Sequence, residues 1–337
     1  MEHPPATDAE LGTEGATGTV APASSDCVVC NHPITGQVYS IGDRSYCHEH
    51  YVRALQRRGT WPSVWILFAA LVAIALLMQL VGPALTPLLT GGSLVVAGLI
   101  MAILPALIWL FVFRRLDRLE PEPFQYLLGV MILGALISGA IGDPLRRGVY
   151  GMHLWSESQW MWAIPIYALT QGLLLALTVY ITVRFSAFLI QDFDERADGV
   201  IYGTAAGLGA AVYYNLRYLM DAGALRLDVG TARIIIAALV FASIGGLIGY
   251  GLGQVRFEPH SIWYLPGIVL LAALLTGIYE WLSSETFSRS LGYTAWVSVL
   301  IAAVLGAVLF AAINVLVRSA IRQTLSEGTE SDLAVAR

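Results

Sequence analysis

The chain has 337 residues, 57% hydrophobic and 13% charged, with a net charge of −5. Soluble domains carry roughly 25% charged residues, so this composition excludes an ordinary soluble domain and indicates a membrane protein. The modest acidic balance gives no basis for a nucleic-acid partner, and all 19 basic residues are arginine, which excludes lysine chemistry.

Residues 1–26 are acidic and rich in Pro, Ala, Gly and Thr. They hold too little apolar surface to fold, so a disordered acidic tail without a cleavable signal peptide is expected. All three cysteines follow in one window, CVVCNHPITGQVYSIGDRSYCHEHY. Cys27 and Cys30 form a C-x2-C pair, and Cys47 with His50 forms a C-x2-H pair. Two such knuckles can set four ligands at the corners of a tetrahedron, which suits a closed, structural Zn²⁺ site. His48 and His32 compete with His50 for the fourth position. GDRSYC reads as a hairpin strand feeding the second knuckle, and the stretch resembles half of a LIM-type or treble-clef finger. The module is expected over 27–58.

A membrane-spanning helix needs about 20 apolar residues. Eight runs qualify, near 62–81, 94–113, 124–142, 161–183, 199–220, 233–254, 262–282 and 294–317. The expected fold is therefore all-α: a polytopic membrane bundle of about eight transmembrane helices over 59–320, preceded by the zinc-finger module and followed by a tail, 321–337. Arg53, Arg57, Arg58, Arg114, Arg115, Arg118, Arg184, Arg196, Arg256, Arg318 and Arg322 flank one side. Arg146, Arg147, Arg217, Arg226, Arg233 and Arg289 flank the other. The richer side marks the cytoplasm, which places both termini there.

Between the second and third spans lies RRLDRLEPEPFQYLLG, with Asp117, Glu120 and Glu122 around two prolines that mark a turn. The fifth span, DGVIYGTAAGLGAAVYYN, opens on Asp198 and ends on Asn215. Gly199, Gly203, Gly207 and Ala211 recur at i+4 along it, a slanting smooth stripe on which helix backbones can approach closely in lipid. Leu208, beside the stripe, is expected to face lipid. Asp198 can cap free N–H groups at the helix start. Near span ends, Asp143 and Glu280 read as helix-end carboxylates snorkelling to headgroups, Asn314 lies within the last span, and Trp61, Trp160, Trp162 and Trp263 fit an aromatic belt.

The D-x-x-E-P-E-P entry and DERADGVIYGTAAGLG together resemble the PrsW family of intramembrane proteases, within the CAAX-protease-like superfamily, over about residues 100–255. The resemblance implies a Glu-Glu-x-x-Lys motif on the fourth span, a Glu-Asn pair ending the fifth and a histidine on the sixth, meeting to activate water, with or without a metal. Here Thr170 and Gln171 stand where the glutamates are expected, with Leu174 in the lysine's place. Tyr214 precedes Asn215, and the sixth span has no histidine. The expectation is a bacterial plasma-membrane protein that keeps the frame of a PrsW-type protease without its chemistry: a binding, scaffold or regulatory pseudoprotease. Its expected partners are the lipid bilayer, a membrane protein and a cytosolic protein. The alternatives are an active intramembrane peptidase using Glu122, Glu280 or Asp198, and a small transporter.

Overall fold

The computed structural model describes residues 26–27, 30, 32–36, 38–41, 44–56, 61–85, 91–116, 122–148, 160–190, 193–221, 227–289, 304, 307–321 and 323. Asp117 and Glu120 lie outside them, as do the disordered tail expected at the start and the tail expected at the end. The chain divides into two compact units, one up to Gln56 and one over Arg57–Gln323, and each is taken by itself.

The first unit is a small module. Strands β1 (Tyr39–Ile41) and β2 (Arg44–Tyr46) pair antiparallel, with Tyr39 opposite Tyr46 and Ile41 opposite Arg44. This is the hairpin expected from GDRSYC. Helix α1 (His48–Gln56) follows at once, and the Tyr51 N–H closes on the Cys47 carbonyl at 2.9 Å.

The second unit is built of helices and short connections, with no strand among its described residues. Its elements are α2 (Trp61–Leu85), α3 (Gly92–Leu116), α4 (Phe124–Ile137) and α5 (Asp143–Gly148), then α6 (Trp160–Tyr167) and α7 (Leu173–Phe185), then α8 (Arg196–Asp221), α9 (Leu227–Phe257), α10 (Tyr264–Arg289) and α11 (Ala307–Ile321). A π-helical turn, Ser138–Gly142, joins α4 to α5, and a second, Ala168–Gly172, joins α6 to α7. Each pair is thus one continuous span. Among the described residues, six spans are long and apolar enough to cross a membrane: Ile66–Leu85, Val95–Arg115, Phe124–Gly148, Trp162–Leu189, Gly230–Phe257 and Tyr264–Trp281.

The fifth expected span is α8, which is not among these six because its glycines, tyrosines, Asn215 and charged ends lower its hydropathy. It is the centre of the bundle: every residue from Glu195 to Ala211 is buried. α9 runs alongside it, α3, α4 and α7 cover its other faces, and α2 and α10 pack on α9. The glycines explain the closeness. A Cβ at Gly199, Gly203 or Gly207 would strike backbone atoms of α9 at Gly249, Gly245 and Phe241. On another face, a Cβ at Gly209 would strike the Met131 carbonyl of α4, and one at Gly134 would lie 2.5 Å from the Ala206 carbonyl oxygen. The helix is pinned from two sides, so Leu208 is fully buried and does not face lipid as expected. The eighth expected span is described only as α11. Its buried Phe310 packs among Phe68, Trp109 and Phe113 of α2 and α3. Leucines such as Leu80, Leu136 and Leu270 point outward, as a lipid-facing surface requires, and Trp162 and Trp263 are exposed at span ends.

Candidate functional site

The cysteine module brings its four expected ligands together. The thiols of Cys27, Cys30 and Cys47 and a ring nitrogen of His50 all lie within 4.8 Å of one another. Local folding places them. The Cys27 N–H donates to the His32 carbonyl at 2.9 Å, and an Asp26–Pro33 bridge closes the first knuckle. Cys47 and His50 sit three residues apart across the first turn of α1, with Cys47 Sγ 3.1 Å from His50 Nδ1 and Cys27 Sγ 3.5 Å from it. The rivals are occupied elsewhere. His48 is exposed with its ring 5.2 Å from that of Tyr39, and His32 Nδ1 lies 2.7 Å from the Cys30 carbonyl oxygen. The His32 backbone N–H lowers the pKa of the Cys30 thiol, but desolvation and the neighbouring Cys27 and Cys47 sulfurs outweigh it and push the thiol above its ordinary value.

In the membrane unit, the family-motif residues fall at two ends of the bundle. At one end Glu122, just before α4, is buried and accepts a 2.7 Å hydrogen bond from the Tyr202 hydroxyl. Asp198 reaches back from the third position of α8 to accept the N–H groups of Asp194 at 3.0 Å and Glu195 at 2.6 Å. That is the carboxylate half of a capping box, and it fixes the start of the buried helix. Arg196, also buried, donates to Gln254 at 3.0 Å and pairs with Glu258 at 2.8 Å across to α9.

At the other end lies a cavity of about 200 Å³, lined by Arg146, Gln171, Leu175, Tyr214, Asn215, Tyr218, Arg233, Ala237, Phe241, Thr276, Tyr279 and Glu280. The two π-helical turns shape it. Such single-turn bulges re-aim side chains and recur at functional sites. In the first, a Cβ at Gly142 would sit 2.7 Å from the Tyr214 hydroxyl, and one at Gly139 would sit 2.8 Å from the Tyr213 ring, so a side chain at either position would push a tyrosine aside. The second turn carries Gln171 into the lining, and Gly172 lets it press on the Ala273 backbone of α10. Gly277 of α10 meets the Ala168 backbone in the same way, which draws Thr276, Tyr279 and Glu280 to the wall.

Gln171, Tyr214 and Asn215 therefore meet in one place, while Thr170 does not join them. Its hydroxyl donates back to the Ile166 carbonyl at 2.7 Å, within its own helix. The Asn215 amide, fully buried, donates to the Ile234 carbonyl at 3.2 Å and so ties α8 to α9. α9 lines the cavity with Arg233, Ala237 and Phe241.

Two expected snorkelling carboxylates do something else. Glu280 faces the cavity, because the tight α10 contact turns that face of the helix inward. Asp143 is buried at 3% exposure and held by Arg147 at 2.6 Å, with Arg146 at 3.7 Å and Arg217 at 3.9 Å. Asn314 donates to its own helix at Phe310. Arg146 and Arg233 entered the sequence reading only as markers of sidedness. Their place in a cavity depends on non-local packing, and no local spacing signals it.

A family profile described as "PrsW family intramembrane metalloprotease" matches residues 122–313. Curated proteins named "Protease PrsW" are similar to this chain. That of Geobacillus kaustophilus is 26% identical over 193 residues, 56% of this chain and 79% of the relative. That of Clostridioides difficile is 25% identical over 54% of this chain and 77% of the relative. That of Bacillus subtilis is 25% identical over 53% of this chain and 79% of the relative. No solved structure matches. The profile's description implies a metal, and the cavity's donors do not fit one. They comprise a single carboxylate, Glu280, with no thiolate or imidazole, and two guanidiniums share the space. A resident catalytic ion takes about three protein N, O or S ligands. Among the described residues, the Cys27–Cys30–Cys47–His50 cluster is the one group of three or more such ligand atoms close enough to hold an ion. The profile match spans more than half of the sequence, and the chain belongs to the PrsW family of intramembrane metalloproteases.

Proposed function

We propose that this chain works as a non-catalytic member of its family, a membrane protein that binds a partner in the cavity that Glu280 lines rather than hydrolysing it. The observation that carries the reading is the cavity lining. Where water activation needs a base poised near pH 7 or ligands for a Lewis acid, the wall presents Gln171, Tyr214, Asn215 and Phe241, with Glu280 as its single carboxylate. Amide and phenol groups hydrogen-bond well, but they are weak bases and weak ligands at neutral pH. In this reading the 27–58 module holds a structural Zn²⁺ through Cys27, Cys30, Cys47 and His50 and contacts a cytosolic partner. The 59–320 bundle contacts a membrane-protein partner, both termini face the cytoplasm, and the host membrane is bacterial.

The test is cleavage of membrane-embedded peptides by the purified full chain in liposomes, with and without a chelator. The expected result is no cleavage in either condition. A second reading has one observation in its favour: Glu280 faces the same cavity as Gln171 and Tyr214, where it could serve as a base. It requires cleavage by the intact chain that Glu280→Gln abolishes.

A further inference from the structure

Two guanidiniums and one carboxylate line the cavity. The Arg233 guanidinium lies 3.8 Å above the Tyr218 ring. Stacking fixes its plane and leaves its N–H edge for an oxyanion, the geometry in which arginine binds carboxylate and phosphate groups. Among the described residues no carboxylate oxygen comes within 4.0 Å of it. Arg146 is also underused. Among the described residues its buried Nε has no hydrogen-bond partner, and its Nη2 stands 3.7 Å from Asp143, a carboxylate that Arg147 already holds at 2.6 Å.

Glu280 shares the wall with both guanidiniums, and its carboxyl group offsets no more than one of them. At least one positive charge is left over. In a partly desolvated space it calls for a counter-charge from a ligand.

Depth narrows the ligand. Arg146 lies two residues before the end of α5 at Gly148, Arg233 is in the second turn of α9, which starts at Leu227, and Glu280 is in the second half of α10, Tyr264–Arg289. Arg146 and Arg233 stand near helix ends, where the headgroup layer and its lipid phosphodiesters are expected, and Glu280 shares their cavity. A singly charged phosphodiester matches the surplus of one.

Resting on the reading of this cavity as a binding site, we propose that it holds the headgroup of an anionic phospholipid. Arg233 and Arg146 donate to the phosphate oxygens, and Glu280 limits the site to one net negative charge.

The experiment is calorimetric titration of the full chain in neutral detergent with short-chain phosphatidylglycerol, short-chain phosphatidylcholine, inorganic phosphate and an acetylated peptide with a free C-terminal carboxylate. Saturable one-to-one binding of phosphatidylglycerol, tighter than the other three, is expected. Arg233→Gln and Arg146→Gln should each weaken it about tenfold or more, the loss expected for one charge-assisted hydrogen-bonding group. Glu280→Gln should tighten it several-fold. Unchanged lipid affinity in both arginine variants overturns the proposal. Inorganic phosphate binding as tightly reassigns the site to free phosphate, and tighter binding of the peptide reassigns it to a chain terminus; either result overturns the lipid. If an arginine variant does not fold, Glu280→Gln decides: tighter binding supports the proposal, and equal or weaker binding overturns it. Peptide cleavage by a chain that still binds the lipid in this pattern would defeat the non-catalytic reading alone.

Discussion

Tyr202 donates a 2.7 Å hydrogen bond to the Glu122 carboxylate, tying the central helix α8 to the proline-marked entry of α4. Both side chains are buried, Tyr202 at 0% and Glu122 at 4% exposure. A hydrogen bond to a charged acceptor contributes about 1.5–3 kcal/mol, and a buried carboxylate deprived of a donor keeps its desolvation cost. Tyr202→Phe should therefore lower unfolding free energy by about 1–3 kcal/mol, measured by denaturant titration in detergent. A loss below about 0.5 kcal/mol would mean that the other partners of Glu122 suffice without the tyrosine.

The close helix crossing gives a comparison between neighbours. A leucine at Gly207 must enter the Phe241 backbone, which has no flexible end to move aside. Leu208→Ala leaves a hole in a fully buried site, a change that costs about 2–5 kcal/mol. Both variants should lose thermal stability in detergent, and Gly207→Leu should lose more or fail to fold. Gly209→Leu, which would strike α4 at Met131, should behave like Gly207→Leu. Equal stability of Gly207→Leu and the parent would remove the close-packing account.

The legible part of this fold was the part set by short-range chemistry. Cysteine spacing foretold which four side chains meet, and the i+4 glycines foretold a smooth helix face. The stripe could not reveal that α8 packs on two faces, because Gly209 and Ala206 belong to a different angular sector, and so Leu208 was misjudged. The cavity was half legible. Gln171, Tyr214 and Asn215 were singled out by resemblance, whereas Arg146, Arg233 and Glu280 join them only through the π-helical turns and the α10 approach. A π turn shifts side-chain register without any marker residue, so periodicity along the sequence cannot locate it.

The arginine asymmetry predicts sidedness. Reporter fusions at Arg58 and after Arg322 should both read as cytoplasmic, since the arginine-rich flanks lie on that side. An extracytoplasmic signal at one fusion alone would require an odd number of crossings between them, and the cavity of Arg146, Arg233 and Glu280 would have to be reassigned to a membrane face.

The last prediction separates the two places where a metal could bind. Cys27, Cys30, Cys47 and His50 present three thiols and an imidazole within 4.8 Å, a donor set that suits a closed tetrahedral Zn²⁺ site. The cavity presents Glu280 beside two arginines. The purified full chain should thus carry about one Zn²⁺, retained through dilution and gel filtration. Cys27→Ser/Cys30→Ser should carry none, and Glu280→Gln should keep the full complement. Binding should also weaken in acid, with the sign set by the thiols. Zinc binds thiolates, the Cys30 thiol is pushed above its ordinary value, and each thiol that must give up its proton lowers apparent affinity as pH falls. A competition titration with a chromophoric chelator between pH 8 and pH 6 should show affinity dropping steadily, by about tenfold or more per unit if at least one thiol proton is released on binding. Two metals per chain, with one lost in Glu280→Gln, would place an ion in the membrane cavity and return this protein to the catalytic members of its family.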